Sequence, residues 1–187
     1  MRTGKISENV LKRSVLKRCK SRREEVAQGP AVGQDCAIVR SEGMDFTVMH
    51  AQTFTAERME KVRYAVIDGV NNLCCSGAES VSVLLAVMLP EDREEGCLRA
   101  IMDSADAACQ ECGIQLAGGH TEVSAVVQEP VVTVTVQGFA SKEFHRTADV
   151  KTDLELVMAG FPGMEGTALL TKEKEEELKK RFPLELV

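Results

Sequence analysis

The sequence predicts an α+β fold, a mixed or antiparallel sheet with helices packed on one face. Three observations predict it. Val131 to Val136 alternates valine with threonine, the period of a strand with one wetter face. Residues 57–76, and the stretch from Pro90 to Gly113, carry apolar side chains at helical spacing. Shorter apolar runs flank and separate them, giving the order strand, strand, helix, strand, helix, strand, strand.

In chain order, residues 8–20 read as a helix, with Val10, Leu11, Ser14, Val15 and Cys19 on one face and basic residues opposite. Arg22 to Pro30 reads as a polar loop, with turn chemistry at Gln28-Gly29-Pro30 and Gly33. Gly33 to Val39 supplies a turn, the lone carboxylate Asp35 and an apolar strand. By itself Asp35 is either a turn-stabilising acid or a cation ligand. Ser41-Glu42-Gly43 turns the chain into a second strand, Asp45 to His50. The helix over 57–76 presents Val62, Ala65, Val66, Gly69, Val70 and Leu73, with Gly77 as its C-terminal cap. Its small residues fit a helix packed closely on a sheet. Val81 to Leu89 is almost continuously apolar and reads as a strand covered on both faces, one of them at a subunit interface.

Pro90-Glu91-Asp92 opens the second helix with acids in its first turn. Leu98, Ile101, Met102, Ala105, Cys109 and Cys112 form its stripe, and Gly113 ends it. Ile114 to Ala117 is a short strand leading into Gly118-Gly119-His120-Thr121-Glu122. Taken alone, this segment is a tight turn between strands. Its other reading is a concavity of backbone N–H groups for phosphate oxygens, with Glu122 holding the accompanying cation. The first domain is expected to span 1–140, followed by a linker over 141–153. Residues 154–187 then hold only a brief strand, Leu154 to Ala159, and a charged helix over 164–181. That is too little for a second independent core.

Composition narrows the function classes. A net charge of −6 excludes a general nucleic-acid binder, which needs a positive field. The basic cluster Lys12, Arg13, Lys17, Arg18, Lys20, Arg22 and Arg23 reads as a solvated face. There is no Trp and one Tyr, so base-stacking platforms are missing. No apolar run is long enough to span a membrane and no targeting segment is evident, so the cytoplasm is the expected location. Seven cysteines, an odd number, argue against a disulfide framework. Cys109 and Cys112 form a C-x-x-C, but both fit the apolar stripe of their helix.

The order of motifs resembles the N-terminal, ATP-binding half of the aminoimidazole ribonucleotide (AIR) synthase superfamily, most closely its AIR-synthase-related and hydrogenase-maturation (HypE-like) branch. Four segments carry the resemblance. Gly4-Lys5-Ile6 before a helix is similar to the branch's opening. Gly33-Gln34-Asp35-Cys36-Ala37 is similar to its Gly-x-Asp-Ala-Ala element. Val70-Asn71-Asn72-Leu73-Cys74-Cys75-Ser76-Gly77-Ala78-Glu79 resembles its Asn-Asp-Ile-Ala-Ala-x-Gly-Ala element. Gly118-Gly119-His120-Thr121-Glu122 is similar to its Gly-Gly-His-Thr-Glu element. Met164-Glu165-Gly166-Thr167-Ala168 further resembles the opening of the family's second domain, which is otherwise missing.

The resemblance implies an AIR-synthase N-terminal-domain-like fold whose sheets pair in a homodimer. It implies ATP and Mg²⁺ as cofactors and phosphoryl transfer of the synthetase or kinase type. Lys5, Asp35, Asn72, Gly118, Gly119, His120, Thr121 and Glu122 would contact the nucleotide, with Asp35 and Glu122 as metal ligands. A separately encoded C-terminal half would be a second possible partner. The chain departs from the pattern at two acids. The family's second Asn-Asp residue is Asn72 here, and its Thr-Asp after the second strand aligns with His50-Ala51-Gln52. An amide offers one neutral carbonyl where a carboxylate offers a full charge. Two functions therefore stand side by side: an ATP-binding enzyme component, and a catalytically degenerate dimeric binding or assembly module. A third origin, a fragment of a longer enzyme, is equally compatible with the charged ending.

Overall fold

The computed structural model describes residues 5–41, 44–141, 152, 154–155, 157–158 and 160–183. The chain divides into two units, Met1–Asp149 and Val150–Val187. The first contains six strands: β1 (Val26–Gln28), β2 (Ala37–Ser41), β3 (Met44–Thr55), β4 (Glu79–Leu89), β5 (Gln115–Val123) and β6 (Val131–Ala140). Two long helices, α1 (Met59–Cys75) and α2 (Glu95–Cys112), connect them. The second unit holds α3 (Met164–Glu173) and α4 (Glu175–Leu178).

The sheet has the order β1-β2-β3-β6-β4-β5. Every neighbouring pair is antiparallel except β4 with β5. β6 runs between β3 and β4 and opposes both, so β3 and β4 point the same way. Each of β3-α1-β4 and β4-α2-β5 therefore returns its strand through a helix, as parallel strands require. The predicted α+β class and mixed sheet match this architecture.

Both helices lie on one face. α1 packs on β3, β6 and β4, and α2 packs on α1 and β5. The core between them is β-branched on the sheet side: Val48, Val83, Val87, Val132, Val134 and Val136 are all almost fully buried. Val62, Val66, Leu73, Ile101 and Ala105 meet them from the helices. α1 comes unusually close at Gly69. A Cβ there would stand 2.5 Å from Val136 Cγ2, so only glycine fits this contact. The two helices end as predicted. Ala78 N–H donates to Leu73 O (3.2 Å) past Gly77, and Ile114 N–H donates to Cys109 O (2.9 Å) past Gly113.

Several expectations shift at their edges. The loop over Arg22 to Pro30 contains β1, which pairs with β2 through Val26 and Gln28. Its three residues are too few to show a period. The second strand runs on to Thr55 because β6 pairs with it over ten residues, from Phe46↔Ala140 to Thr55↔Val131. Pro90 to Asp92 forms a turn, closed by Arg93 N–H on Pro90 O (3.2 Å), and the helix starts at Glu95. The helix expected over 8–20 is a distorted one: Glu8–Val10 is α-helical, Leu11–Val15 a π-turn and Leu16–Arg18 a 3-10 turn.

Within the chain, β4 is covered on one face. Val83, Leu85, Val87 and Leu89 are buried, whereas Leu84 on the other face is 47% exposed. The strand expected over Leu154 to Ala159 is not formed at the described residues 154, 155, 157 and 158, and most of the linker lies outside the described residues. The charged helix over 164–181 is split at Lys174 into α3 and α4. No helix among the described residues is long and apolar enough to cross a membrane.

Leu73 sits fully buried at the end of α1, beside Asn72. Leu73→Ala removes side-chain volume that the sheet and helix cannot close. It is expected to lower the unfolding free energy by about 3 kcal/mol, read from urea denaturation midpoints.

Candidate functional site

A polar cleft forms where the C-terminal half of α1 faces β3 and the turn before β2. It has a volume of about 430 Å³, and its lining includes Lys5, Asp35, His50, Gln52, Asp68 and Asn72. A second hollow of about 310 Å³ shares Gln34, Asp35, His50 and Ala51 and continues toward Gly29 and Met49.

His50 organises the cleft. It is only 8% exposed, on the helix-facing side of β3. Its Nδ1 lies 2.8 Å from Asp35 O. A carbonyl can only accept, so Nδ1 carries the proton. In the neutral ring Nε2 is then an acceptor, and it accepts a hydrogen bond from Asn72 Nδ2 at 3.2 Å. The Cys36 thiol adds a weak contact to Asn72 O at 3.5 Å. Through these bonds the turn carrying Asp35 is joined to the end of α1.

The two amides that stand where the family resemblance leads one to expect acids are both turned toward protein. Asn72 Nδ2 is held by His50, and Gln52 Nε2 donates to Ala65 O at 3.0 Å. The cleft nevertheless carries two carboxylates, Asp35 and Asp68. Among the described residues neither side chain has a hydrogen-bond or ion-pair partner. Asp68 escaped the sequence reading because it lies outside every recognised motif. One signal was available: it stands four residues before Asn72, on the same helix face.

Lys5, Asp35 and Asn72 are thus brought together. Gly118, Gly119, His120, Thr121 and Glu122 are not among them. They lie within β5, in a parallel ladder that pairs Leu84↔Gly118, Leu85↔Gly119 and Met88↔Glu122. The tight turn expected between strands is therefore a strand itself. Gly119 explains why the residue type misled: a Cβ there would lie 1.9 Å from Leu85 O, so the glycine serves a close backbone approach. β5 is the sheet edge, four positions from β2, or about 19 Å across the strands. His120 Nε2 lies 3.1 Å from Glu122 Oε2, both exposed on the face away from the helices. Asp35 and Glu122 do not approach one another within the chain. Among the described residues, no three His, Cys, Asp or Glu side chains cluster as a metal site.

All seven cysteines are free thiols. Burial pushes the Cys109 thiol up to about 11, helped by the charge of Asp106. Burial also raises Cys112 and Cys36. Raised thiols are poor ligands and nucleophiles, which supports packing as the role of the C-x-x-C.

A continuous mixed sheet of this order, with two helices on one face and a polar cleft at a helix end, defines the class of α+β domains built from interleaved β-α-β units. More narrowly, the chain belongs to the AIR synthase related proteins, whose N-terminal-domain model matches residues 33–140. No curated protein sequence matches it. Solved structures do. AaThiL complexed with AMPPCP and TMP is similar with a TM-score of 0.59 and 20% identity, over 79% of this chain and 49% of that one. E. coli HypE, a hydrogenase maturation protein, is similar with a TM-score of 0.53 and 16% identity, over 70% of this chain and 43% of that one. T. maritima PurL complexed with ATP is similar with a TM-score of 0.51 and 19% identity, over 58% of this chain and 20% of that one. The chain therefore corresponds to half or less of the length of each of these structures.

At pH 8 a thiol at about 11 is ionised to about one part in a thousand. Cys109 is expected to react with iodoacetamide roughly a hundredfold more slowly than the exposed Cys74 and Cys75, as resolved by peptide mass spectrometry over time.

Proposed function

We propose that this chain binds ATP with Mg²⁺ in the cleft between α1, β3 and the Asp35 turn, as the nucleotide-binding half of a cytoplasmic phosphoryl-transfer assembly. One observation carries the proposal: Lys5, Asp35 and Asp68 line the same cleft, and among the described residues neither carboxylate has a hydrogen-bond or ion-pair partner. That donor set fits a polyphosphate with its cation. The carboxylates suit a hard divalent ion, and the ammonium suits a phosphate oxygen. When bound, the ion neutralises phosphate charge, which is the main electrostatic demand of phosphoryl transfer. The ATP in the PurL structure and the AMPPCP in the ThiL structure, on the same fold, support the same reading.

Within the chain, His50 keeps the walls in register by donating to Asp35 O and accepting from Asn72. Asp35 and Lys5 bind, and Asn72 orients. Gly118 to Glu122 lie four strands away across the sheet and are not part of this site within one chain. The face of the sheet away from the helices, where Leu84 is 47% exposed, is the surface through which we propose the homodimer forms. A partner carrying the family's C-terminal half would complete the substrate cleft.

A second reading is a binding or assembly module without turnover. It is favoured by the inward hydrogen bonds of Asn72 and Gln52, which replace anionic ligands with neutral amides committed to the protein.

Thermal unfolding in ATP and ADP, with and without Mg²⁺, tests nucleotide binding. At a hundredfold excess over Kd the native state gains about 2.7 kcal/mol, a shift of roughly 5–10 °C. No shift at millimolar nucleotide sinks the proposal. A shift with phosphate release supports the enzyme component, and a shift without it supports the module. Light scattering checks the dimer, and a clean monomer contradicts it.

A further inference from the structure

The acids expected at 72 and 52 are amides, yet the cleft is not short of carboxylates. Asp68 points to the reason. It lies one helical turn before Asn72 on α1 and lines the same cleft as Asp35. Residues four apart on a helix stand about 6 Å from each other at Cβ, so a cation held at one position is within reach of the other.

Nothing in its own helix accounts for Asp68. Its neighbours three and four residues away are Tyr64, Ala65, Asn71 and Asn72, none of them cationic. Among the described residues it has neither an ion pair nor a hydrogen bond. Other acids near the two helices do have partners: Glu57 pairs with Lys61, Glu111 with Arg63 and Glu95 with Arg99. Asp68 is also half-buried, where an unpaired carboxylate is less favourable than in open solvent. Charge balance makes the same demand. Lys5 offsets one of the cleft's two carboxylates, and a triphosphate entering would add several more negative charges. Coulomb repulsion between them is large in a partly desolvated site unless a divalent cation enters with the ligand.

Resting on the nucleotide-binding reading above, we infer that Asp68 is the second anionic ligand for the divalent cation, working with Asp35 from the opposite wall, and that it substitutes for the carboxylate absent at Asn72. Asn72 then has a different task. His50 fixes its Nδ2, which leaves its Oδ1 as a neutral acceptor beside the ion. The site keeps two carboxylates, enough for Mg²⁺ that retains waters and shares phosphate oxygens. Its anionic ligand on α1 has moved by one turn.

The test compares wild type, Asp68→Asn and the double variant Asp68→Asn/Asn72→Asp. Calorimetry measures binding of the non-hydrolysable analogue AMPPNP, with Mg²⁺ and with EDTA. In wild type, Mg²⁺ is expected to tighten binding at least tenfold. Asp68→Asn is expected to erase that tightening. The double variant, with its carboxylate returned to the next turn, is expected to recover Mg²⁺ dependence. If wild type binds no AMPPNP in either buffer, the nucleotide-binding reading fails. If wild type binds with Mg²⁺ dependence and Asp68→Asn keeps it, only the ligand assignment fails. Should a variant not fold, wild type alone decides. Substoichiometric Mn²⁺ with AMPPNP must broaden the amide resonances of both Asp35 and Asp68, and sparing of Asp68 overturns the inference.

Discussion

The cleft depends on how closely α1 lies against the sheet. Gly69 has no side chain, and the space a Cβ would take is filled by Val136 of β6. That contact lowers the middle of α1 onto the strands. Asp68 and Asn72, on either side of Gly69, are thereby set beside β3, where the His50 ring spans the gap to Asn72. A larger residue at 69 would lift the helix, and the hydrogen bond from Asn72 to His50 would be the first to open. Packing density in the core and geometry of the polar site are here one constraint.

His50 turns that closeness into a defined chemistry. With Nδ1 committed to the Asp35 carbonyl, the neutral ring has a single remaining role as acceptor, and the Asn72 amide supplies the donor that meets it. A carboxylate at 72 would face a lone pair instead, or would require a protonated imidazole. His50 and Asn72 are thus a matched pair, and an acid at 72 would leave His50 Nε2 without its amide donor. Seen this way, the amide at 72 is part of a rebuilt wall. Asp68, on the next turn, can carry the charge without disturbing His50.

The Gly-Gly segment shows why local chemistry can mislead. Adjacent glycines usually report a backbone turn. In β5 Gly119 reports instead a neighbour too close for a Cβ, the Leu85 carbonyl of β4. Both causes leave the same residue type. Which one operates depends on where β4 runs, and that is set by the crossover through α2. The same crossover carries Gly118 to Glu122 to the sheet edge, four strands from Asp35.

The sequence by itself determined the class of fold, the order of its elements from β2 to β6, the cysteine-lined stripe of α2 and the C-terminal ends of both helices. These follow from periodicity and caps, which are local. It also determined that Lys5, Asp35 and Asn72 are of interest, because their motifs resemble a known family. Tertiary structure alone decided which residues share a cleft. It inserted β6 between β3 and β4, a pairing of ten residues that no spacing announces. It separated Glu122 from Asp35, and it brought in Asp68 and the buried tautomer of His50. Sequence distance carries no information about these, since they arise from where strands and helices cross after the chain has packed.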